Sequence, residues 1–367
     1  MDPMTSYERV KNMLDGKPVD CLACYDAVWG ETVDRWRAAG DMRPDQDERE
    51  ALEMDILGSA SLNSVADVAF IPQVIEETEE TILSLDGNGA IYRQHKLHNS
   101  CPEHVDFLVK DRQSWEERVK PHLLELDRRR IPFAEYREGK AFAATRQRFF
   151  SWWGVAPFEQ MQSMTGHENL LLNMALDPEY VQEMVMTYAR FSIQHLEVLF
   201  AEEGKPDAMW FGEDLGYKFK PFMSPAMYEE ILEPGHKLLF DWSHAQGLQV
   251  IVHSCGFVEP LVPGLLRAGM DCLQALEVKA GMDMRRLHDQ YGERLAYFGN
   301  IDARVLATND RRQIDAEMDA KIPYILQRGG RYLLMSDHSI PPQVDFATMQ
   351  YFFQRGREMS REWLKRR

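Results

Sequence analysis

From residue 177 onward the chain alternates short apolar runs with helical stretches at a spacing of roughly thirty to forty residues. That is the pattern of a parallel sheet whose strands are joined by helical crossovers. Asp177-Pro178 pairs an N-cap with a proline at the first helical position, and the helix it opens should run to Gly204. Strands are expected at Asp207 to Phe211, 249 to 253, Asp271 to Leu276, Arg294 to Phe298 and Arg331 to Met335. A helix kinked near Pro234 falls between the first two. The first half adds a helix at Ser6 to Leu14 and strands at Val19 to Tyr25 and Ala141 to Thr145. Eight such strands closing on themselves give an α/β fold of the (β/α)8 TIM-barrel type.

One stretch interrupts the rhythm. Thr81-Ile82-Leu83-Ser84-Leu85 and Ala90-Ile91-Tyr92-Arg93 flank Asp86-Gly87-Asn88-Gly89, a hairpin signal. Polar, helix-patterned sequence follows from Cys101 to Lys140. The expected organisation is a single barrel domain over 1–367, with a β-hairpin and helical excursion inserted near its N-terminus at about 76–140.

Composition narrows the function. A net charge of -17 opposes a nucleic-acid partner, which needs concentrated Lys and Arg to displace counterions. Arg361, Lys365, Arg366 and Arg367 make only a small basic tail. No apolar run approaches the roughly 20 residues that span a bilayer, and Met1 to Ser6 do not open a signal peptide, so a cytoplasmic location is expected. Five scattered cysteines do not form a disulfide framework. Cys21 and Cys24, on opposite sides of an extended segment, are expected to take no part in redox or metal chemistry.

A barrel carries its chemistry on the loops that follow its strands, so the residues at the strand ends are the ones to collect. They are Asp26 and Trp29; Trp152 and Trp153; Glu213, Asp214 and Tyr217; His253, Ser254, Cys255 and Gly256; Glu277; Asn300 and Asp302; Asp337 and His338. His253 and Cys255, two apart on a strand, share one face, and His338 ends a later strand of the same sheet. Imidazole and thiolate suit zinc, which in catalytic sites takes three protein ligands and keeps one position open. His253, Cys255 and His338 are therefore the expected metal ligands, against the plainer reading of a buried histidine beside an inert cysteine.

Glu213 and Asp214 are adjacent and must diverge. Glu213 is the candidate fourth ligand or catalytic carboxylate; Asp214 either contacts substrate or only organises its loop. Asp26, Trp29, Trp153, Tyr217 and Asn300 are candidate substrate contacts, although Asn300 is equally a turn former. Phe149, Phe150, Trp152 and Trp153 form either core or the wall of an apolar pocket. His95, His98 and His104 read as surface residues. No P-loop, dinucleotide fingerprint or nucleophile elbow is present.

Phe211-Gly212-Glu213-Asp214-Leu215-Gly216, His253-Ser254-Cys255-Gly256, Phe298-Gly299-Asn300-Ile301-Asp302, Gly329-Gly330-Arg331-Tyr332-Leu333 and Asp337-His338-Ser339-Ile340-Pro341 together resemble the uroporphyrinogen decarboxylase-like superfamily. The resemblance implies a (β/α)8 barrel. True decarboxylases of that superfamily carry an Arg-Gln-Ala-Gly-Arg stretch near the N-terminus for substrate carboxylates; here the region reads Ala23-Cys24-Tyr25-Asp26-Ala27-Val28-Trp29-Gly30.

The other branch comprises methyltransferases that work with corrinoid proteins, including methylcobalamin:coenzyme M methyltransferases. They bind zinc through His-x-Cys and a later cysteine. His253 and Cys255 match, and His338 stands for the later cysteine, which makes the site less anionic and opens it to other acceptors or donors. The resemblance thus implies a zinc-dependent enzyme exchanging methyl between methylcobalamin on a corrinoid protein and a small thiol, methoxy or methylamine compound, with homodimer formation a further expectation. The alternatives are a metal-independent decarboxylase or lyase using Glu213 and Asp214, and a barrel that binds a small ligand without turning it over.

Overall fold

The computed structural model describes residues 3–97 and 102–364. His98, Cys101 and the basic residues Lys365, Arg366 and Arg367 lie outside the described residues. Among the described residues, thirteen strands, numbered here in chain order, form three sheets.

The largest sheet is parallel: β1 (Ile56–Gly58), β6 (Phe149–Val155), β7 (Ala208–Gly212), β10 (Gln249–Ser254), β11 (Cys272–Ala275), β12 (Ala296–Gly299) and β13 (Tyr332–Leu333), in that spatial order. The extended segment 23–25 closes it. Cys24 bridges Leu334 in parallel, Leu334 N–H donates to the Ala23 carbonyl, and on the other side Asp55 N–H donates to the Cys24 carbonyl. With that segment as an eighth member no edge is left open, which fits the expected barrel.

Side chains alternate between the two faces of each strand. Inside the barrel, Ala23, Ile56, Phe149, Ala208, Ile251, Cys272, Ala296 and Leu333 form a buried cluster with Trp210, Phe298 and Met335. Val10, Met13 and Leu14 of helix Ser6–Leu14 join the same cluster, so this amphipathic helix plugs one end of the barrel. The opposite parity faces outward: Phe150, Trp152, Met209, Phe211, Val250, Val252 and Leu273 pack against the surrounding helices. The aromatic run at 149–153 is therefore divided by parity, with Trp152 in the outer core and Trp153 turned to the barrel mouth.

Asp177 caps helix Pro178–Glu203 through Tyr180 N–H, and Gly204 ends it. The kink expected near Pro234 is a π-helical turn at Tyr228–Leu232 leading into helix Glu233–Ala245. Two sequence expectations are corrected. Glu103–Phe107, within the stretch expected to be helical, is a strand paired with Ala90–His95. Ala141 to Thr145 is the last turn of helix Phe133–Thr145, and the strand begins four residues later at Phe149. The alanine-rich run Ala141-Phe142-Ala143-Ala144 suits a helix as well as a buried strand, and periodicity over five residues does not separate the two.

The hairpin β3 (Thr81–Leu85) and β4 (Ala90–His95) is flanked by β2 (Gln73–Glu77) and β5 (Glu103–Phe107), making a four-stranded antiparallel sheet. It follows β1 and so rises from the mouth side of the barrel. Between β7 and helix Glu233–Ala245, the short pair β8 (Gly216–Tyr217) and β9 (Lys220–Pro221) makes the third sheet. No helix among the described residues is long and apolar enough to cross a membrane.

Candidate active site

The parity that points Ile251 into the barrel also points His253 inward, and Cys255 follows as the chain leaves β10. Opposite His253 on β11 stands Gln274. Its amide oxygen meets the His253 Nδ1, which fixes Nδ1 as the protonated nitrogen and leaves the Nε2 lone pair free. That Nε2 lies 3.4 Å from Cys255 Sγ and 3.4 Å from an oxygen of Asp214. Asp214 Oδ1 also accepts the Cys255 N–H at 2.7 Å. Among the described residues, Asp214, His253 and Cys255 are the one set of three such side chains whose donor atoms all lie within 4.8 Å of one another.

The spacing fits a metal. Zinc–nitrogen, zinc–oxygen and zinc–sulfur bonds of about 2.0 to 2.3 Å at tetrahedral angles put N and S about 3.5 Å apart, and N and O about 3.4 Å. Both observed separations agree with those values. Thiolate, carboxylate and neutral imidazole carry two negative charges, matching a divalent cation. Burial first, then the carboxylates of Asp214, Glu277 and Glu159, push the Cys255 thiol up, so only a cation makes thiolate favourable there.

Two glycines let the loops meet. A Cβ on Gly256, whose φ is +75°, would sit 2.4 Å from the Gly216 carbonyl carbon; one on Gly216 would sit 2.5 Å from the Cys255 carbonyl oxygen. The loop carrying Asp214 and the loop carrying Cys255 thus pack backbone on backbone.

Glu213 and Asp214 exchange the roles expected of them. Glu213 has the outward parity of Met209 and Phe211 and is fully buried. Its carboxylate accepts Phe158 N–H and Glu159 N–H, each at 3.0 Å, at the start of helix Pro157–Leu176. It also meets His236 Nε2 at 2.5 Å, and His236 Nδ1 meets the Tyr228 hydroxyl at 2.8 Å. Three bonds engage both of its carboxylate oxygens, so Glu213 ties a helix to the sheet and does not line the cavity at the barrel mouth. Asp214 turns to the mouth, its side chain 39% exposed.

The cluster opens into a cavity of about 430 Å³ lined by Tyr25, Trp153, Trp210, Met335, Arg49 and His338, among others. The Trp153 ring stands edge-on to His253 at 6.0 Å, and Trp210 packs edge-on to Tyr25 and Trp153. His338, expected as the third ligand, lines this cavity but lies outside the cluster; Asp214 takes its place.

Asn300 does not reach the cavity. Fully buried with φ +66°, it accepts Met284 N–H and donates to the Leu276 and Met282 carbonyls, holding two loops together. Tyr217 is 57% exposed and stacks on Phe222, and Trp29 lines a separate surface hollow next to His338.

Asp26 is buried beneath the rim. It accepts Ser336 N–H at 3.0 Å and lies 2.8 Å from the Ser336 hydroxyl, which is also 2.6 Å from the His338 carbonyl. One hydroxyl proton cannot serve both acceptors. A protonated Asp26 donating to Ser336 Oγ resolves the conflict, consistent with burial pushing its carboxyl up to about 8.

Three contributors were not singled out in the sequence. Glu159 reads as an ordinary first-turn acid of a helix, yet its carboxylate lies 3.3 Å from Asp214 N–H. Burial, then Asp214 and Glu213, raise its carboxyl to about 7. Arg49 sits in what reads as a charged connector. Gln274 did carry a signal, being a polar residue inside the buried strand Cys272–Ala275.

The sequence pattern of uroporphyrinogen decarboxylase (URO-D) matches residues 154–359. Among solved structures, a methyltransferase from Methanosarcina mazei is similar over 97% of this chain and 99% of that one, with TM-score 0.65 and 14% identity, which establishes a shared fold. An amidohydrolase crystal structure covers 82% of this chain and 81% of that one at 10% identity, but its TM-score of 0.27 supports no comparison. No curated protein sequence matches the chain.

Proposed function

This chain belongs to the uroporphyrinogen decarboxylase family, and within it we propose a zinc-dependent methyltransferase that exchanges methyl between a protein-borne corrinoid and a small substrate. The observation that carries the reading is the convergence of His253 Nε2, Cys255 Sγ and an Asp214 oxygen at metal-ligand spacing on the barrel mouth. Those three side chains would hold the zinc. Bound there, zinc supplies Lewis acidity, which favours the thiolate of a thiol acceptor or polarises an ether or amine that gives up methyl.

The chain's own residues set the stage for that chemistry. Gln274 fixes the His253 tautomer, and the Cys255 N–H orients Asp214. Trp153, Trp210 and Met335 give the cavity apolar walls that exclude water from the substrate body. The cluster sits on the open mouth, where a second protein carrying methylcobalamin has access. The metal-independent decarboxylase reading loses its acid, because Glu213 is fully buried, bonded to Phe158 N–H, Glu159 N–H and His236, and does not line the cavity.

The test is metal content together with methyl transfer. Wild-type protein supplemented with zinc should hold one equivalent by mass spectrometry, and Cys255→Ser and Asp214→Asn should hold much less. Zinc-loaded protein should demethylate methylcobalamin with a thiol, or methylate cob(I)alamin from a methoxyaromatic, followed by visible absorbance. A zinc-free wild type would overturn the proposal. Zinc binding without transfer in either direction would leave the ligand-binding barrel as the better description.

A further inference from the structure

Of the residues lining the cavity, Arg49 is the one lysine or arginine. It is the second residue of the short helix Glu48–Ala51, and its Nε lies 2.9 and 3.2 Å from the two oxygens of the N-cap Asp47. The same Asp-x-Arg arrangement recurs at Asp283/Arg285 and Asp302/Arg304, so the pairing itself is a local helix-start device. Neither Arg285 nor Arg304 lines this cavity. In Arg49 the pairing engages Nε and Nη2; Nη1 makes no hydrogen bond among the described residues, and the side chain remains one-third exposed. Asp47 therefore aims the guanidinium while leaving donors available. Tyr25 lines the same cavity, and its hydroxyl likewise makes no hydrogen bond among the described residues.

Barrel order places this pair relative to the cluster. Counting around the closed sheet, segment 23–25 and β1 come first and second, while β7 and β10, bearing Asp214 and His253, come fourth and fifth. In an eight-membered ring the first and fifth members face each other across the mouth. Arg49 lies on the connection between the first two members and lines the cavity, so it enters from the side of the ring opposite the strand that bears His253. Between the two ends are the apolar walls of Tyr25, Trp153, Trp210 and Met335.

We infer that the substrate is a small molecule with an apolar body and one monoanionic group of the carboxylate class, held by Arg49 and the Tyr25 hydroxyl at the end opposite Asp214, His253 and Cys255. A cavity of about 430 Å³ suits a single-ring compound. With Nε and Nη2 engaged by Asp47, Nη1 is left to serve a single carboxylate. The assignment of the reacting end rests on the proposed function; the anion site does not.

Binding is read by quenching of Trp153 and Trp210 fluorescence in the full chain, with and without one equivalent of zinc. The probes are 4-methoxybenzoate, its neutral amide 4-methoxybenzamide, benzenesulfonate and phenyl phosphate. In wild type, 4-methoxybenzoate should bind at least about tenfold tighter than the amide and tighter than the dianionic phosphate. Benzenesulfonate binding as well as or better than 4-methoxybenzoate would overturn the carboxylate class. Arg49→Gln should abolish the acid-over-amide preference, and Tyr25→Phe should reduce it in part. Equal binding of acid and amide by wild type would overturn the inference without any variant, as would a preference that survives Arg49→Gln. Zinc content of the same samples separates the two claims. Protein with zinc and no preference loses this inference alone; protein with the preference and no zinc loses the proposed function alone.

Discussion

Exchanging Glu213 and Asp214 for their amides separates a residue that holds the fold from one that holds the chemistry. Glu213 is fully buried and serves two backbone N–H groups and His236. A glutamine keeps one oxygen. If its nitrogen replaces Oε2, that nitrogen confronts Glu159 N–H; if it replaces Oε1, it confronts Phe158 N–H. In either orientation one buried donor loses its partner, at about 1–3 kcal/mol, and the remaining bonds lose their ionic acceptor, at about 1 kcal/mol more. Glu213→Gln should therefore destabilise by about 3 kcal/mol. Asp214, with its side chain 39% exposed, makes one strong bond to Cys255 N–H that an asparagine oxygen retains. Asp214→Asn should cost less than about 1 kcal/mol in metal-free protein and weaken zinc by more than about 100-fold.

The assay is urea unfolding of chelator-treated protein at one pH, with zinc affinity by competition against a chromophoric chelator. An unchanged urea midpoint for Glu213→Gln together with lost zinc would refute this division of labour and return Glu213 to the role its sequence position suggests.

Three further outcomes follow from the geometry. The carboxyls of Asp26 and Glu159 are raised in the folded protein to about 8 and about 7, so the native state binds more protons than the unfolded chain. Their contribution to stability is fully present below about pH 4, where both states are protonated, and is lost as pH rises through about 7 and 8; the thermal midpoint of metal-free protein should fall over that window, and Asp26→Asn should flatten the decline. Gly256→Ala places a Cβ 2.4 Å from the Gly216 backbone at a φ of +75°. Loss of about 3 kcal/mol and of zinc binding is expected, and a variant that unfolds and binds zinc like wild type would disprove the loop packing. Gln274→Leu removes the acceptor that orients His253; zinc affinity should fall by about 10- to 100-fold with the urea midpoint little changed.

The alternation of strands and helices after residue 177, the helix plugging the barrel, and His253 with Cys255 on one face were all legible in the sequence. They depend on periodicities of 2 and 3.6, which the order of residues carries directly. Parity was also there to be used: with Trp210 inward, Asp214 must follow it inward and Glu213 must not. What linear order could not carry was the third member of the cluster. His338 and Asp214 both end strands of one barrel, but only the loop packing at Gly216 and Gly256 brings Asp214 onto Cys255. Arg49 lies more than two hundred residues from His253 in the chain. Its place across the cavity follows from closure of the sheet between segment 23–25 and Leu334, which joins the two ends of the chain and is fixed only when the whole ring forms.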